Sequence, residues 1–234
     1  MSMHSESKTL EWADRLAAEL KRVEAEIMEP SAKCLPAPYV GTANGKTGAV
    51  NEGTLSLVTC CEHARRTCGK ECYAAWHIDV RLPEARVHHA VNTVLRRLAP
   101  FAYYCQFFQA ATESGAVLLR VNETGDFETA EQLEALYRAA RIYSHVKVIG
   151  YTRRRELVQA LKDAPANVAV RYSVYRDGLE TAPAGVRVAA VSDTQTNCPS
   201  QIAAARGEKW TCTDCASHGA GCACARLVQW FKAH

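Results

Sequence analysis

Eleven cysteines are the residues of this 234-residue chain whose type and spacing most readily do chemistry. Nine of them fall in two groups, Cys60 to Cys72 and Cys198 to Cys224. An odd number cannot pair completely within one chain, and the polar start of the sequence is not an apolar export signal. Clustered thiols in that setting read as metal ligands rather than as a disulfide framework. The first group is spaced Cys61-x6-Cys68-x3-Cys72, with Cys60 adjacent. Thiolate is the soft, anionic donor that iron–sulfur and zinc centres require. Three thiolates on one loop can hold a 4Fe–4S cluster and leave its remaining iron open to a ligand from outside the protein. His63 is placed to replace one of these thiolates, and Cys60 as a fourth ligand closes the site. Tetrahedral zinc is the rival, although its usual C-x2-C knuckle is missing from this group. Buried thiols without metal are a third reading.

The second group runs Cys198-x13-Cys212-x2-Cys215-x6-Cys222-x-Cys224. It contains a C-x2-C pair and three further candidates, enough for a closed four-cysteine site with one thiol to spare, and His218 is a possible substitute ligand. The spacing points to metal without choosing between zinc and iron. A purely scaffolding role also fits, because ligation supplies folding free energy to a segment poor in apolar residues. Cys34 and Cys105 stand apart, and Cys105, among Tyr103, Tyr104, Phe107 and Phe108, reads as a small core residue.

Other chemistry-bearing residues cluster after apolar runs. Gly125 and Asp126 end one of them; a glycine there permits close backbone approach to a ligand, and Asp126 is suited to a ribose hydroxyl, an amine or a metal. The competing reading is a helix N-cap by Asp126 or Thr129. Arg153, Arg154 and Arg155 follow the next run, and Arg176 the one after. Guanidinium groups there clamp carboxylate or phosphate, or face solvent as a charged loop. His88 and His89 are neighbours on a helix and point to different faces, which argues against joint ligation. No P-loop, serine elbow or HExxH pattern occurs.

The elements that must position these residues follow from periodicity. Ala13, Leu16, Leu20, Val23 and Ile27 recur at helical spacing and predict an amphipathic helix over about 8–28, with Ser7 as N-cap and Pro30 as stop. It either docks on the body of the protein or serves a partner. Residues 31–53 are rich in Pro, Gly, Asn and Thr and read as a loop. Strands are expected at 54–59, 116–122, 146–151, 168–174 and 186–191. Helices are expected at 83–98, 130–143 and 156–163, with an apolar piece at 101–111 and a short helix at 225–231. Strands alternating with helices imply parallel pairing through right-handed crossovers. The expected fold is α/β: a partial (β/α) barrel or open parallel sheet of about five strands, with an N-terminal amphipathic helix and a Cys-rich C-terminal cap. The corresponding divisions are 1–30, 31–195 and 196–234. In either architecture, chemistry sits at the carboxyl ends of the strands, where the first cysteine group, Gly125-Asp126, Arg153 and Arg176 all fall.

Composition narrows the class further. Hydrophobic residues make up 48% and charged residues 23%, which supports a packed core and excludes general disorder. A net charge of +3 is too small for bulk electrostatic binding to nucleic acid or an anionic membrane. No apolar run approaches the roughly 18 residues of a membrane span, so the expectation is a cytoplasmic protein without a membrane partner.

Several motifs occur in an order that resembles the phage "gene product 88" family. These are Asn44-Gly45-Lys46-Thr47-Gly48, Thr54-Leu55-Ser56-Leu57, Cys61, Cys68 and Cys72-Tyr73-Ala74. Asn92, Arg120, Gly125-Asp126-Phe127, Tyr151-Thr152-Arg153, Ser173-Val174, Cys198-Pro199 and Cys212-x2-Cys215 continue the likeness. It runs from about residue 44 to 224, leaves the N-terminal helix outside, and implies a phage- or prophage-encoded protein of a host cytoplasm. At the level of layout, the chain also resembles radical S-adenosylmethionine enzymes. Those carry a three-cysteine cluster after the first strand of a partial (β/α) barrel and a Gly-plus-acid motif after the second. Cys61, Cys68, Cys72 and Gly125-Asp126 hold the matching positions, although the spacing departs from the usual C-x3-C-x2-C.

The leading expectation is an iron–sulfur protein with one or two 4Fe–4S clusters, acting on S-adenosylmethionine if it is an enzyme. Cys61, Cys68 and Cys72 hold the open cluster, and Cys198, Cys212, Cys215, Cys222 and Cys224 supply the ligands of the second site. Gly125 and Asp126 bind the cofactor, with Asp126 orienting its amine. Arg153 and Arg176 hold its carboxylate or an anionic substrate, small or macromolecular, and an electron donor completes the set. The alternative is a non-catalytic protein, stabilised by zinc or a cluster, that binds a host protein or nucleic acid.

Overall fold

A computed structural model describes residues 6–29, 35–41, 50–56, 83–174, 182–192, 196–218, 222 and 228–232. Six strands, β1 (Val50–Gly53), β2 (Leu118–Thr124), β3 (Lys147–Thr152), β4 (Val168–Val174), β5 (Val188–Ser192) and β6 (Val228–Lys232), form one sheet in sequence order. Every neighbouring pair is parallel, and no pairing joins β1 to β6 among the described residues, so the sheet is open. Sequential order has no switch point. Successive right-handed crossovers therefore lay their helices on one face, the winding of a partial (β/α) barrel.

The helices are α1 (Glu6–Ile27), α2 (Pro83–Leu98), α3 (Pro100–Glu113), α4 (Ala130–Ile142), α5 (Val158–Leu161), α6 (Pro199–Ala205) and α7 (Cys212–Ser217). Strand alternation divides the core. Leu119, Val121, Val148, Val168, Val170, Val188 and Ala190 face the main cluster, with Leu16, Leu20, Val94, Phe107, Phe108, Leu133, Leu136 and Leu161 from the helices. Leu118, Ile149 and Ala169 face the other way, the inner face, where Ala216 of α7 and the part-buried Cys212 and Cys222 cover them. Cys212, Ala216 and Cys222 thus lie against the inner face of β2, β3 and β4. Lys147 reinforces this by donating to the Ala216 carbonyl.

The amphipathic stripe of α1 docks on the body: Ala13, Leu16, Leu20 and Val23 are buried, and α1 packs on α2. Ser7 lies inside α1, which begins at Glu6, rather than capping it. Pro30 lies outside the described residues. Cys105 packs part-buried against the main core, as its aromatic neighbours imply. No helix among the described residues is long and apolar enough to cross a membrane.

Two elements differ from the periodicity. The first strand is Val50–Gly53, inside the stretch read as loop; of the strand expected at 54–59, Thr54 to Ser56 are not strand and 57–59 lie outside the described residues. Its sequence, Val-Asn-Glu-Gly, carries no apolar alternation, yet all four residues are buried, with Glu52 partnered by Arg96, the Tyr103 hydroxyl and the Asn122 amide. At the other end, the helix expected over 225–231 is replaced by β6. Val228, Trp230 and Phe231 are β-branched or aromatic, types that favour a pleated strand. A free edge on β5 takes them up, raising the strand count from about five to six.

Candidate metal centre

The strand-end rim begins where β1 ends. Ser56 Oγ accepts from the Asp126 amide at 2.8 Å and donates to the Asp126 carbonyl at 2.6 Å, joining the root of the 57–82 segment to the end of β2. Gly125 has φ +81, and a Cβ there would fall 2.1 Å from Thr54 Oγ1 and 2.5 Å from Ser56 Oγ. The close approach that Gly125 permits is therefore to the chain's own hydroxyls. The Asp126 carboxylate bridges two strand ends, accepting from the Phe127 amide at 2.7 Å and from the Arg153 amide at 2.9 Å. Burial pushes its pKa up to about 6 against the lowering effect of those donors. Thr129 is the N-cap of α4, its hydroxyl accepting from the Gln132 amide at 3.3 Å. Arg153 follows β3 at the rim and is part-buried.

Beneath this rim, on the helix side, Arg96 of α2 and Glu52 of β1 are both fully buried and paired at 3.2 Å. Burial alone would destabilise both charges, so the geometry of their partners decides the outcome. Glu52 accepts from the Tyr103 hydroxyl at 3.0 Å and from the Asn122 amide at 2.9 Å. Arg96 donates to Asn122 Oδ1 at 2.9 Å, Ser56 Oγ at 3.2 Å and the Asp126 carbonyl at 2.6 Å. The register of β1 on β2 shifts here, from Asn51 opposite Arg120 to Gly53 opposite Thr124, and Asn122 takes φ 53. The Glu52 carboxylate thus replaces the ladder acceptor that the bulge removes. Asn92 of α2 ties the 35–41 segment down, bonding both the Tyr39 amide and the Tyr39 carbonyl at 2.8 Å. His88 stacks on Tyr39, whereas His89 reaches Thr124, so the two imidazoles serve different neighbours.

The inner face carries the thiols. Thr211 and Asp214 form a capping box that starts α7, so Cys212 and Cys215 stand one turn apart on it. The Cys215 sulfur accepts from Trp210 Nε1 at 3.0 Å. The Cys222 thiol and the Tyr151 hydroxyl are hydrogen-bonded at 3.0 Å, and Arg171 Nε donates to the Cys222 carbonyl at 3.0 Å. Burial is the main cause that raises the Cys215 thiol to about 11 and Cys222 to about 12, and the charges of Cys198 and Cys212 push both the same way. Trp210 opposes the rise at Cys215; Tyr151 and Arg171 oppose it at Cys222. Cys198 and Cys212 are thus near enough to act electrostatically on both Cys215 and Cys222. Their thiols are not drawn into a ligand shell: among the described residues no group of three or more His, Cys, Asp or Glu is arranged to hold a metal. The donor set, four thiols backed by an indole N–H, a phenol and a guanidinium, is chemically suited to zinc or iron.

Of the remaining residues expected at a site, Cys61, Cys68, Cys72, Cys224 and Arg176, together with Cys34, Cys60 and His63, lie outside the described residues. Sequence reasoning passed over Tyr151, Arg171 and Trp210 as thiol partners, and Glu52 and Arg96 as a buried pair. A signal for Arg171 was present: it is the lone charge in the apolar run of β4 and alternates with Val170 and Tyr172.

Fold and site define an open, singly wound parallel α/β protein with a thiol-rich segment on its inner face. Within that class the chain belongs to the Gene product 88 family, whose model matches residues 12–233. The match takes in α1 from residue 12 onward, a longer span than the 44–224 over which the motifs are legible. No curated protein and no solved structure matches the chain.

Proposed function

We propose that the protein is an iron–sulfur protein in which Cys198, Cys212, Cys215 and Cys222 hold one centre on the inner face. Cys61, Cys68 and Cys72 hold a second, open 4Fe–4S cluster on the segment rooted at Ser56. The observation that carries this reading is that Cys212 and Cys222 pack on the same inner-face cluster, with Cys222 held by Tyr151 and Arg171, while Cys198 and Cys212 act electrostatically on both Cys215 and Cys222. Burial favours the protonated thiol at Cys215 and Cys222 in the metal-free state, and metal uptake releases those protons. A buried cation beside the set offsets the negative charge that ligation creates.

The sequence-ordered parallel strands favour a catalytic use of the second cluster. The three-cysteine segment follows β1 and Gly125-Asp126 follows β2, the order that an S-adenosylmethionine radical enzyme uses. There a reduced cluster supplies the electron for cofactor cleavage. In this chain Asp126 fixes the ends of β2 and β3 relative to each other, while Arg153 is the candidate to hold a carboxylate. Anaerobic purification with iron and acid-labile sulfide analysis tests the reading. Equal iron and sulfide with broad absorption near about 400 nm is the expected result for thiolate-ligated clusters. Cleavage of S-adenosylmethionine under a strong reductant is expected to follow.

A second reading is favoured by Cys212-x2-Cys215 on one helical turn, a common zinc arrangement. In that case the protein is a zinc-stabilised binding protein for a host protein or nucleic acid. A colourless preparation with stoichiometric zinc selects it.

A further inference from the structure

We infer that Cys222 completes the inner-face thiolate set and that Tyr151 and Arg171 are the positioning residues that present it. This rests on the metal reading above and deepens it by assigning residues that set the site's affinity. Cys222 follows Gly219 and Gly221, residue types with the most conformational freedom to lose, so its placement needs an anchor. The sheet supplies two. Tyr151 on β3 and Arg171 on β4 are direct register partners, so both lie on the inner face by the pleat. One takes the Cys222 thiol at 3.0 Å and the other its carbonyl at 3.0 Å, which fixes the residue at two points from two strands.

The anchors are themselves held. Arg171 is fully buried and also donates from Nη1 to the Val188 carbonyl on β5 at 3.4 Å. The Tyr151 ring meets Phe231 of β6 edge-on, with centroids 6.1 Å apart. Strands thus carry the residues that orient Cys222, the arrangement by which outer partners tune metal sites. Trp210 plays the corresponding part at Cys215 from the local chain alone.

The test uses the full-length chain with Cys61, Cys68 and Cys72 replaced by Ser as the parent, and cobalt(II) as the probe under anaerobic, reducing conditions. Thiolate-to-cobalt charge-transfer absorption reports the number of sulfur ligands, and competition with a chelator reports affinity. Cys222→Ser is expected to lose one thiolate's share of the band. Tyr151→Phe, which removes a single hydroxyl, is expected to shift the band and weaken cobalt binding by about 10- to 100-fold. Arg171→Met is expected to weaken it by a similar factor, with part of the loss restored in Arg171→Lys. Unchanged affinity and band in Tyr151→Phe and Arg171→Met overturn the positioning role. A full band in Cys222→Ser overturns the assignment of the ligand. A parent that gives no thiolate band overturns the metal reading itself, which separates the two failures.

Discussion

The sheet carries a buried polar group on each side, and the two are completed differently. On the helix side, Arg96 and Glu52 meet each other, Tyr103, Asn122, Ser56 and the Asp126 carbonyl, all within the protein. On the inner side, the Cys215 sulfur accepts from Trp210 and the Cys222 thiol is hydrogen-bonded to the Tyr151 hydroxyl, while burial favours the protonated thiol at both. The first group finds its partners within the chain, save for the buried Arg96 Nε. On the proposed reading, the second reaches its stable form when a cation displaces the thiol protons. On that reading the helix-side cluster is architecture and the inner-face thiols are a binding site.

Breaking the closed side is expected to have the largest effect. Arg96→Ala strands a buried carboxylate and should cost about 3 to 5 kcal/mol in urea unfolding, whereas Glu52→Leu with Arg96→Met should recover most of that loss. The inner side is expected to respond to metal instead. Chelation should lower stability by about 3 to 4 kcal/mol for a metal present at about 100 to 1,000 times its dissociation constant. Arg96→Ala should leave that increment intact, which calorimetry with and without chelator reads directly.

The rim between them gives a pH signature. Asp126 has a folded pKa raised to about 6, so its protonated form is the one favoured by folding. Its contribution is present in full below the unfolded pKa near 3.8 and is lost as pH rises through about 6, a change of at most about 3 kcal/mol. Thermal unfolding from pH 4 to 7 should show this decline, and Asp126→Asn should flatten it. The smallest effect is expected at Thr129→Ala, about 1 kcal/mol from loss of the α4 cap, with no change in metal binding.

Much of the architecture was legible because burial enforces periodicity. The α2 and β4 boundaries coincide with the pattern, and the α1 stripe docks as its spacing implies. What escaped the pattern was held by long-range partners. β1 reads as loop because Asn51 and Glu52 look solvent-facing until Arg96 and the register of β2 are known. β6 reads as helix because a strand at the end of a chain depends on the free edge of β5 to receive it. Cys212 and Cys215 were identifiable from spacing, but the Tyr151–Arg171 anchor of Cys222 depends on register between β3 and β4, which no local window contains.

The account turns on whether the inner-face thiols gather one inorganic centre. Metal and acid-labile sulfide should be measured on anaerobically purified wild-type chain and on a chain with Ser at 198, 212, 215 and 222. The account predicts that the variant lacks one centre's complement while keeping that of the other cysteine group. Equal metal in the two chains would contradict it.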